Sequence, residues 1–512
     1  MFVKILLLIV FFGIMLGVGI YSRKHATNVN DFVLGGRSVG PWLTAFAYGT
    51  SYFSAVVFVG YAGQFGYKYG ISATWIGIGN AIIGSLLAWV ILGRRTRIMS
   101  NKLTAKTMPD FFGKRYDSKA LRISASIISF VFLIPYTASV YKGLSSLFEM
   151  AFDIPYEICV IVMATLTCVY VILGGYMATA INDFIQGIIM IGGIMAVIAA
   201  VLSGQGGFIN AVKKLSELAS DSSVTYGQQG AFASFFGPDP LNLLGVIVLT
   251  SLGTWGLPQM VHKFYAIKDE KSIKTGTIIS TIFALVVSGG CYFLGGFGRL
   301  FDNEAIRTAN GTINYDSIIP QMLSGLPEIL VGIVIVLVLS ASMSTLSSLV
   351  LTSSSTLTLD FVQGTMVKKM SDKTQLFVMR ILLVFFVAIS VIIALNPPAF
   401  IAQLMGYSWG ALAGSFLAPF LYGLYMKGVT KISVWVSFIA GVGITITNMI
   451  WGYVKSPINA GALTMIATLI LVPVVSLITP KMKKEQVDEI FSCYDEKITI
   501  EKKYSLEENA DE

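Results

Sequence analysis

Long apolar runs recur from one end of this 512-residue sequence to the other, and they constrain its fold more than any other feature. A run of about twenty apolar residues is what an α-helix needs to cross the hydrocarbon core of a bilayer. Only 12% of the residues are charged, which is about half of the share in a soluble globular protein. The sequence therefore predicts an all-α polytopic membrane protein and excludes a disordered chain or a small disulfide scaffold.

About thirteen such spans can be counted. They lie near residues 5–20, 42–67, 71–93, 122–148, 155–173, 181–203, 241–261, 273–298, 327–359, 375–395, 399–425, 432–454 and 458–479. The first run is interpreted as a retained helix, because Arg23 and Lys24 follow it where a signal peptide would carry a small-residue cleavage pattern.

The loops between these runs divide the cations unevenly. With the N-terminus outside, 28 of the 36 Lys and Arg residues fall on the cytoplasmic side, nine of them in loop 94–122 and four in loop 263–274, which includes Lys263. This asymmetry predicts an N-out, C-in topology. The same clustering argues against a nucleic-acid partner in spite of the net charge of +8. Residues 1–480 are predicted to form a single transmembrane domain, and 481–512 a short cytoplasmic tail.

Two of the spans are interrupted by small, hydroxyl-bearing and aromatic residues. The second reads Ala47-Tyr-Gly-Thr-Ser-Tyr-Phe-Ser-Ala55, and the seventh reads Thr250-Ser-Leu-Gly-Thr-Trp-Gly-Leu-Pro-Gln259. Broken backbone is tolerated at membrane depth only where it lines a cavity or is buried in protein. Because the two spans are five apart, they cross in opposite senses, which is typical of a transporter built from inverted repeats, here about 42–203 and 241–425. The alternative is a pair of kinked packing helices.

The ninth span carries a run of hydroxyls, Leu339-Ser-Ala-Ser-Met-Ser-Thr-Leu-Ser-Ser348. Ala341, Ser344, Thr345 and Ser348 share one helix face. Hydroxyls and freed carbonyls are hard, neutral oxygen ligands that suit sodium, whereas ordinary interhelical hydrogen bonding is the alternative. Asp183, at the start of the sixth span, is either a helix cap or a functional intramembrane carboxylate.

Four segments together resemble the sodium/solute symporter family. They are Leu34-Gly-Gly-Arg-Ser-Val-Gly-Pro41, Met108-Pro-Asp-Phe-Phe-Gly-Lys-Arg115, Gly174-Gly-Tyr176 through Asp183, and Met343-Ser-Thr-Leu-Ser-Ser348. The resemblance implies a leucine-transporter-type fold of five plus five helices, with one extra N-terminal helix and about two extra C-terminal helices.

The resemblance also implies ligands for the coupling ion. A sodium site would use carbonyls at positions matching Thr50, Phe53 and Ala341 and hydroxyls matching Ser344 and Thr345. Some sialic acid members hold a second sodium, at positions matching Asp183, Ser344, Ser347 and Ser348. All of these positions carry suitable residues, so the resemblance implies a second sodium site beside the first.

The substrate positions depart from the family members of known specificity. Proline symporters carry an aspartate at the position matching Tyr52, and sugar symporters carry polar residues at Tyr52, Val56 and Val57. No intramembrane Arg is available to bind a carboxylate such as that of sialic acid. The predicted cavity lining is neutral, aromatic and hydroxyl-rich: Ser51, Tyr52, Ser54, Asn80, Tyr136, Trp255 and Tyr407.

The expected function is sodium-coupled symport of a small organic solute into the cell by alternating access. A uniporter or channel, or a proton-coupled carrier with Asp183 as the proton carrier, are the alternatives on the same fold. The predicted spans contain no H-E-x-x-H motif and no paired catalytic carboxylates, so no enzyme activity and no cofactor besides Na⁺ is expected. We expect a multi-pass protein of a bacterial inner membrane, surrounded by lipid, with no obligate protein partner.

Overall fold

The computed structural model describes residues 2–23, 28–152, 154–308, 310–366 and 370–494. Within these ranges the chain is helical throughout, without a β-strand. The helices of the first half are α1 (Phe2–Ser22), α2 (Val29–Leu34), α3 (Pro41–Tyr52), α4 (Ala62–Tyr69), α5 (Thr74–Gly79), α6 (Arg94–Lys102), α7 (Met108–Arg115), α8 (Lys119–Phe152), α9 (Tyr156–Gly204) and α10 (Phe208–Ser216). A wider π-helical turn at Val56–Tyr61 leads into α4, and two more at Asn80–Leu87 and Trp89–Gly93 connect α5 to α6.

The second half of the described chain is also built of α-helices. They are α11 (Pro240–Leu252), α12 (Pro258–Ala266), α13 (Glu270–Gly295), α14 (Ile318–Ser324), α15 (Glu328–Thr356), α16 (Gln363–Thr365), α17 (Asp372–Leu395), α18 (Ile401–Tyr425), α19 (Lys431–Trp451), α20 (Pro457–Ile478) and α21 (Lys484–Phe491). A π-helical turn at Leu357–Val362 joins α15 to α16. The predicted tail therefore begins with the short helix α21, and residues 495–512 of that tail lie outside the described ranges.

Nine helical stretches of the described chain are long and apolar enough to cross a membrane, or ten if the bent pair Pro240–Gly256 and Pro258–Ala266 is one span. This confirms the all-α membrane architecture. The count is lower than the thirteen predicted spans, partly because two of the stretches, Val56–Lys102 and Tyr156–Gly204, are 47 and 49 residues long.

α15 lies at the centre of the molecule. It packs against α8, α9, α17 and α3, and its residues from Leu337 to Thr356 are all buried. Its apolar residues therefore meet other helices instead of lipid, and its many hydroxyls are held in the interior. By contrast, α1, α17, α19 and α20 expose large apolar side chains, as a lipid-facing surface requires. α19 and α20 pack against α18 at the periphery.

Two glycines allow α4 and α13 to cross in close backbone contact. A Cβ atom built on Gly66 would overlap the backbone of Gly295, and one built on Gly295 would overlap the backbone of Ala62. Membrane helices approach this closely only where small residues meet. The crossing fixes α4, the second half of the interrupted second span, against α13.

We expect Gly66→Val to prevent the folding of the protein, because the obstacle is backbone and cannot move aside like a side chain. The cost exceeds the roughly 1–3 kcal/mol of ordinary overpacking. Fluorescence-detected size-exclusion chromatography should show aggregate in place of the monodisperse peak. Gly192→Val is the matched control, since no atom lies within 4 Å of a Cβ built at that helical glycine. A normal peak for Gly66→Val would contradict the crossing.

Candidate functional site

The second predicted span is broken in its middle. α3 ends at Tyr52, and Phe53 has extended backbone angles (φ −108°, ψ 100°). The helix resumes beyond Ser54, whose carbonyl accepts hydrogen bonds from the amides of Val57 (3.0 Å) and Phe58 (3.1 Å). The last carbonyls of a helix have no partner within it. The break therefore frees carbonyl oxygens of α3, Thr50 and Ser51 among them, for other contacts inside the protein.

The seventh predicted span is broken as well. α11 passes through a tight turn at Gly253–Gly256, Leu257 is extended (φ −86°, ψ 123°), and Pro258 begins α12. The two helix axes differ by 48°. Pro258 suits the first position of a helix because its missing N–H would have no helical partner there. Both interruptions predicted from the sequence are thus present.

Oxygen atoms from α15 and from the break of α3 converge at one point. The hydroxyl of Ser344 lies 3.0 Å from the carbonyl of Thr50 and 3.1 Å from that of Ala341. The hydroxyl of Thr345 lies 3.3 Å and 3.1 Å from the same two carbonyls. All four residues are buried. We call Thr50, Phe53, Ala341, Ser344 and Thr345 the carbonyl–hydroxyl set.

Phe53 is the member of this set that no hydrogen bond ties to the other four. It lines, together with Ala341, a small apolar cavity between the segment that follows the break of α3 and the helices α9, α13 and α15. The carbonyl–hydroxyl set carries no formal charge. No group of three or more His, Cys, Asp or Glu side chains that could hold a metal ion occurs among the residues that the structure covers. Neutral hard oxygens are thus what this region offers to a cation.

Two of the four residues predicted for a second sodium, Asp183 and Ser348, contact a lysine. Asp183 on α9 is fully buried, and the Nζ atom of Lys263 lies 3.7 Å from its Oδ2 atom. The same Nζ donates to the hydroxyl of Ser348 at 2.9 Å. The hydroxyl of Ser347 donates instead to the carbonyl of Ser344 at 2.9 Å, within its own helix.

The position of Lys263 corrects the sequence analysis, which counted this residue in a cytoplasmic loop. It belongs to α12, and only 2% of its surface is exposed. The apolar run 241–261 ended before Lys263 because a hydropathy pattern stops at the first charge. A hydropathy pattern does not show that a charged residue is buried beside a counter-charge from another helix.

An aromatic cluster lies beside the first break. The ring of Tyr52 stacks on Phe53, with ring centroids 4.3 Å apart, and on Trp409 at 6.2 Å. Tyr136 meets Trp409 edge-on at 5.9 Å. The hydroxyl of Tyr52 donates to the carbonyl of Thr250 at the second break. The hydroxyl of Tyr136 and the indole N–H of Trp409 are buried and have no hydrogen-bond partner within the described ranges.

Other predicted lining residues use their polar groups inside the protein. The amide of Asn80 accepts from Ser251 and donates to Ser288, each at 3.1 Å. The indole of Trp255 donates to the carbonyl of Ile83 at 3.0 Å. The hydroxyl of Ser54 accepts from the amide of Val56 at 3.2 Å. Asn80 and Trp255 thereby hold the second broken span against neighbouring helices, whereas Ser54 caps the turn that follows the first break.

Tyr407 does not join the aromatic cluster. It is only partly buried, whereas Trp409, two residues later on α18, is in contact with Tyr52 and Tyr136. Residues two positions apart in a helix lie about 200° apart around its axis, so Tyr407 and Trp409 point in opposite directions. Tyr407 thus stays a prediction as a cavity residue, and the structure brings Trp409 of the same helix to the cluster, because the rotation of α18 depends on packing that its sequence does not encode locally.

Two of the sequence motifs hold loops in place. Arg37 follows Gly35 and Gly36 in left-handed backbone conformations and donates to the carbonyls of Tyr265 (3.3 Å) and Ala105 (2.5 Å). Burial lowers the pKa of Arg37 to about 10, so it remains charged at neutral pH. In the second motif, Asp110 lies 3.4 Å from Arg122, which also pairs with Asp360 at 2.7 Å. Both motifs tie loops to neighbouring helices.

Comparison with known proteins identifies the fold. A solved structure of a Na⁺-coupled sialic acid symporter, in a substrate-bound outward-open state, aligns with a TM-score of 0.75 and covers 94% of this chain and 99% of that one, at 17% sequence identity. A nucleobase-cation-symport-1 family transporter in a closed conformation aligns with a TM-score of 0.51 over 90% of this chain and 98% of its own, at 12% identity. The chain therefore shares the fold of these symporters.

Comparison of the sequences identifies the family and not only the fold. A sodium/proline symporter of Staphylococcus aureus is 30% identical over 509 residues, which are 94% of this chain and 93% of the relative. Sodium/proline symporter 2 of Staphylococcus saprophyticus is 29% identical over 456 residues, 87% of this chain and 86% of the relative. The family model of the sodium:solute symporters matches residues 32–441. The chain thus belongs to the sodium:solute symporter family: it is a sodium-coupled transporter of the plasma membrane and not an enzyme.

Proposed function

We propose that the carbonyl–hydroxyl set binds the coupling sodium ion. The observation that carries this proposal is the meeting of two elements: the hydroxyls of Ser344 and Thr345 on α15 reach the freed carbonyl of Thr50 on α3, at 3.0 Å and 3.3 Å. Sodium accepts neutral oxygen ligands, whereas Mg²⁺ usually retains water and takes carboxylates. The C-terminal end of the half-helix α3 adds a partial negative charge that favours a cation.

This position also explains how the ion drives transport. An ion bound between α3 and α15 joins the broken helix of the first repeat to a helix of the second. Bound sodium thereby favours the outward-open arrangement, to which the solute then binds, and release into the low sodium of the cytoplasm follows rocking of the repeats. Each charge that crosses the membrane contributes about 2.3 kcal/mol per 100 mV.

We further propose thirteen spans with the N-terminus outside and the C-terminus inside. A 49-residue helix would be about 74 Å long, more than twice the roughly 30 Å of the hydrocarbon core. Gly175 divides it with a left-handed backbone (φ 55°), and Gly70 (φ 64°) divides Val56–Lys102 in the same way. The part of Val56–Lys102 before Gly70 belongs to the broken span α3–α4, and the part after it is a separate span. The bent pair α11–α12 and the 25-residue α18 complete the thirteen. The repeats are then about 42–203 and 241–425.

For the solute, we propose a small molecule without net charge that binds among Tyr52, Tyr136 and Trp409. The aromatic faces offer apolar contact, and the unpartnered Tyr136 hydroxyl and Trp409 N–H offer hydrogen bonds. The named relatives make proline one candidate, but Tyr52 stands where the family resemblance implies an aspartate in proline symporters. Sugars and sialic acid are the other family candidates. Lipid surrounds the transporter, and no protein partner is needed for this mechanism.

A thermal-stability screen of the purified protein tests this function. Amino acids, sugars, sialic acids, nucleosides, vitamins and small carboxylates are each added in sodium chloride and in choline chloride. We expect one class to stabilise the protein in sodium only, by about 2.7 kcal/mol at a hundredfold excess over its Kd, because a ligand that binds the folded state stabilises it. Stabilisation of equal size in both salts would contradict sodium coupling.

The binding site is tested with the same screen. Trp409→Ala should abolish the stabilisation by the solute, because it removes one wall of the aromatic cluster. It should not change the stabilisation by sodium, because Trp409 does not belong to the carbonyl–hydroxyl set. Trp451→Ala, which alters an exposed residue at the end of α19, is the matched control. An unchanged response of Trp409→Ala to the solute would place the solute elsewhere.

A further inference from the structure

The most unusual group in the interior of this protein is the ammonium of Lys263. It lies on α12, the second half of the interrupted seventh span, five residues after the break at Pro258. It is almost completely buried. A charged side chain inside a membrane protein is costly unless it is paired, so such a residue is retained for a function. Lys263 is not needed to bind either the proposed sodium or the proposed solute.

Three groups surround the ammonium. The Nζ atom donates to the Ser348 hydroxyl at 2.9 Å, lies 3.7 Å from Oδ2 of Asp183, and sits 5.2 Å from the ring centre of Tyr176. A carboxylate, a hydroxyl and an aromatic face all attract a cation. Neither oxygen of Asp183 accepts a hydrogen bond from any residue described. The ammonium is therefore the positive charge that balances this carboxylate.

The same ammonium is linked to the carbonyl–hydroxyl set. Ser348, its hydrogen-bond partner, shares a 2.7 Å hydrogen bond with the hydroxyl of Ser51. The carbonyl of Ser51 lies 3.4 Å from the hydroxyl of Thr345. Two serine side chains thus connect Lys263 on α12 to the proposed sodium ligands on α3 and α15. The broken helices of both repeats meet at this point.

We propose that Lys263 is a tethered cation that fills the place of a second sodium ion. Its ammonium neutralises Asp183 and engages Ser348, which are two of the four residues that the sequence predicted as ligands of a second sodium. The wild-type protein then binds a single sodium ion, and with an uncharged solute it moves one charge in each cycle. The proposal rests on the function proposed for the carbonyl–hydroxyl set, which supplies that single ion.

Removal of the ammonium should create a sodium site. In Lys263→Ala, a buried carboxylate with two free oxygens and the Ser348 hydroxyl border the space that the lysine side chain has left. Such a space is polar enough to admit water and a hard cation. Equilibrium binding of radioactive sodium to the purified protein, without solute, measures the number of ions directly.

We expect one ion for the wild type, two for Lys263→Ala and one again for Asp183→Asn/Lys263→Ala, which lacks the carboxylate. Lys142→Ala is the matched control, because Lys142 is also paired with a carboxylate, that of Asp316 at 2.6 Å, but its ammonium contacts Asp316 and the carbonyl of Ala399 and none of the predicted sodium ligands. It should bind one ion. Size-exclusion chromatography establishes that each variant is folded.

The outcomes separate the two proposals. Two ions bound to the wild type would overturn the tethered cation, and this measurement needs no variant to fold. A folded Lys263→Ala that binds no more sodium than the wild type would also overturn it. A wild type without bound sodium, together with one ion gained in Lys263→Ala, would overturn the carbonyl–hydroxyl set as the sodium site but support the tethered cation.

Discussion

Loss of the two hydroxyls of the carbonyl–hydroxyl set is expected to weaken sodium binding by about tenfold to a hundredfold for each hydroxyl. A hydrogen-bonding group that contacts a charge contributes about 1.5–3 kcal/mol, and 1.4 kcal/mol corresponds to a factor of ten in affinity. Ser344→Ala and Thr345→Ala should each raise the sodium concentration needed for half-maximal uptake by such a factor. The double variant should bind no sodium in the physiological range, because only backbone carbonyls remain as ligands.

Two control variants separate loss of a ligand from loss of packing. Thr345→Ser keeps the hydroxyl and removes a methyl group, so it should retain sodium dependence close to that of the wild type. Ser342→Ala removes a buried hydroxyl of the same helix that has no hydrogen-bond partner within the described chain, and it should leave the sodium dependence unchanged. Sodium-dependent stabilisation of the purified protein checks all four variants without a transported solute. Wild-type sodium affinity in the double variant would show that the ion binds elsewhere.

The sequence could predict the two breaks and the hydroxyl face because their causes are local. Gly, Ser and Pro interrupt the apolar pattern at the places where the helices stop, at Phe53 and at Leu257. Likewise Ser344 and Thr345 follow Ala341 by one helical turn, so they share its face whatever surrounds the helix. The resemblance of these segments to one family added the partner, Thr50, which lies almost three hundred residues away.

Features that depend on how distant helices meet could not be predicted in this way. The choice between Tyr407 and Trp409 depends on the rotation of α18, which packing against α8, α19 and α20 determines. Lys263 was assigned to a loop because its charge ended the apolar run, and only the fold shows that Asp183 from α9 lies beside it. The contact of Arg122 with Asp360 joins residues more than two hundred positions apart. Each of these is a long-range contact without a local signature.

The buried pair of Asp183 and Lys263 also leads to a prediction about stability. Removal of one member of a buried ion pair typically costs about 3–5 kcal/mol, because the other charge is left uncompensated in a medium that solvates it poorly. Asp183→Asn leaves the ammonium without its counter-charge, so it should be destabilised by about this amount in sodium chloride and in choline chloride alike. Asp183→Asn/Lys263→Met removes both charges and should recover most of the loss.

The response of Lys263→Ala to salt then separates a tethered cation from an ordinary ion pair. In choline chloride this variant buries an unpaired carboxylate and should be as unstable as Asp183→Asn. In sodium chloride an ion should bind the carboxylate, so Lys263→Ala should regain stability as the sodium concentration rises. Asp183→Asn lacks this carboxylate, so sodium should stabilise it no more than it stabilises the wild type through the first site. Asp488→Asn, which breaks the exposed contact of Asp488 with Lys427, should change the stability little in either salt. Equal instability of Lys263→Ala in both salts would mean that the lysine only balances the charge of Asp183, because a site that sodium can fill must be stabilised when sodium is supplied.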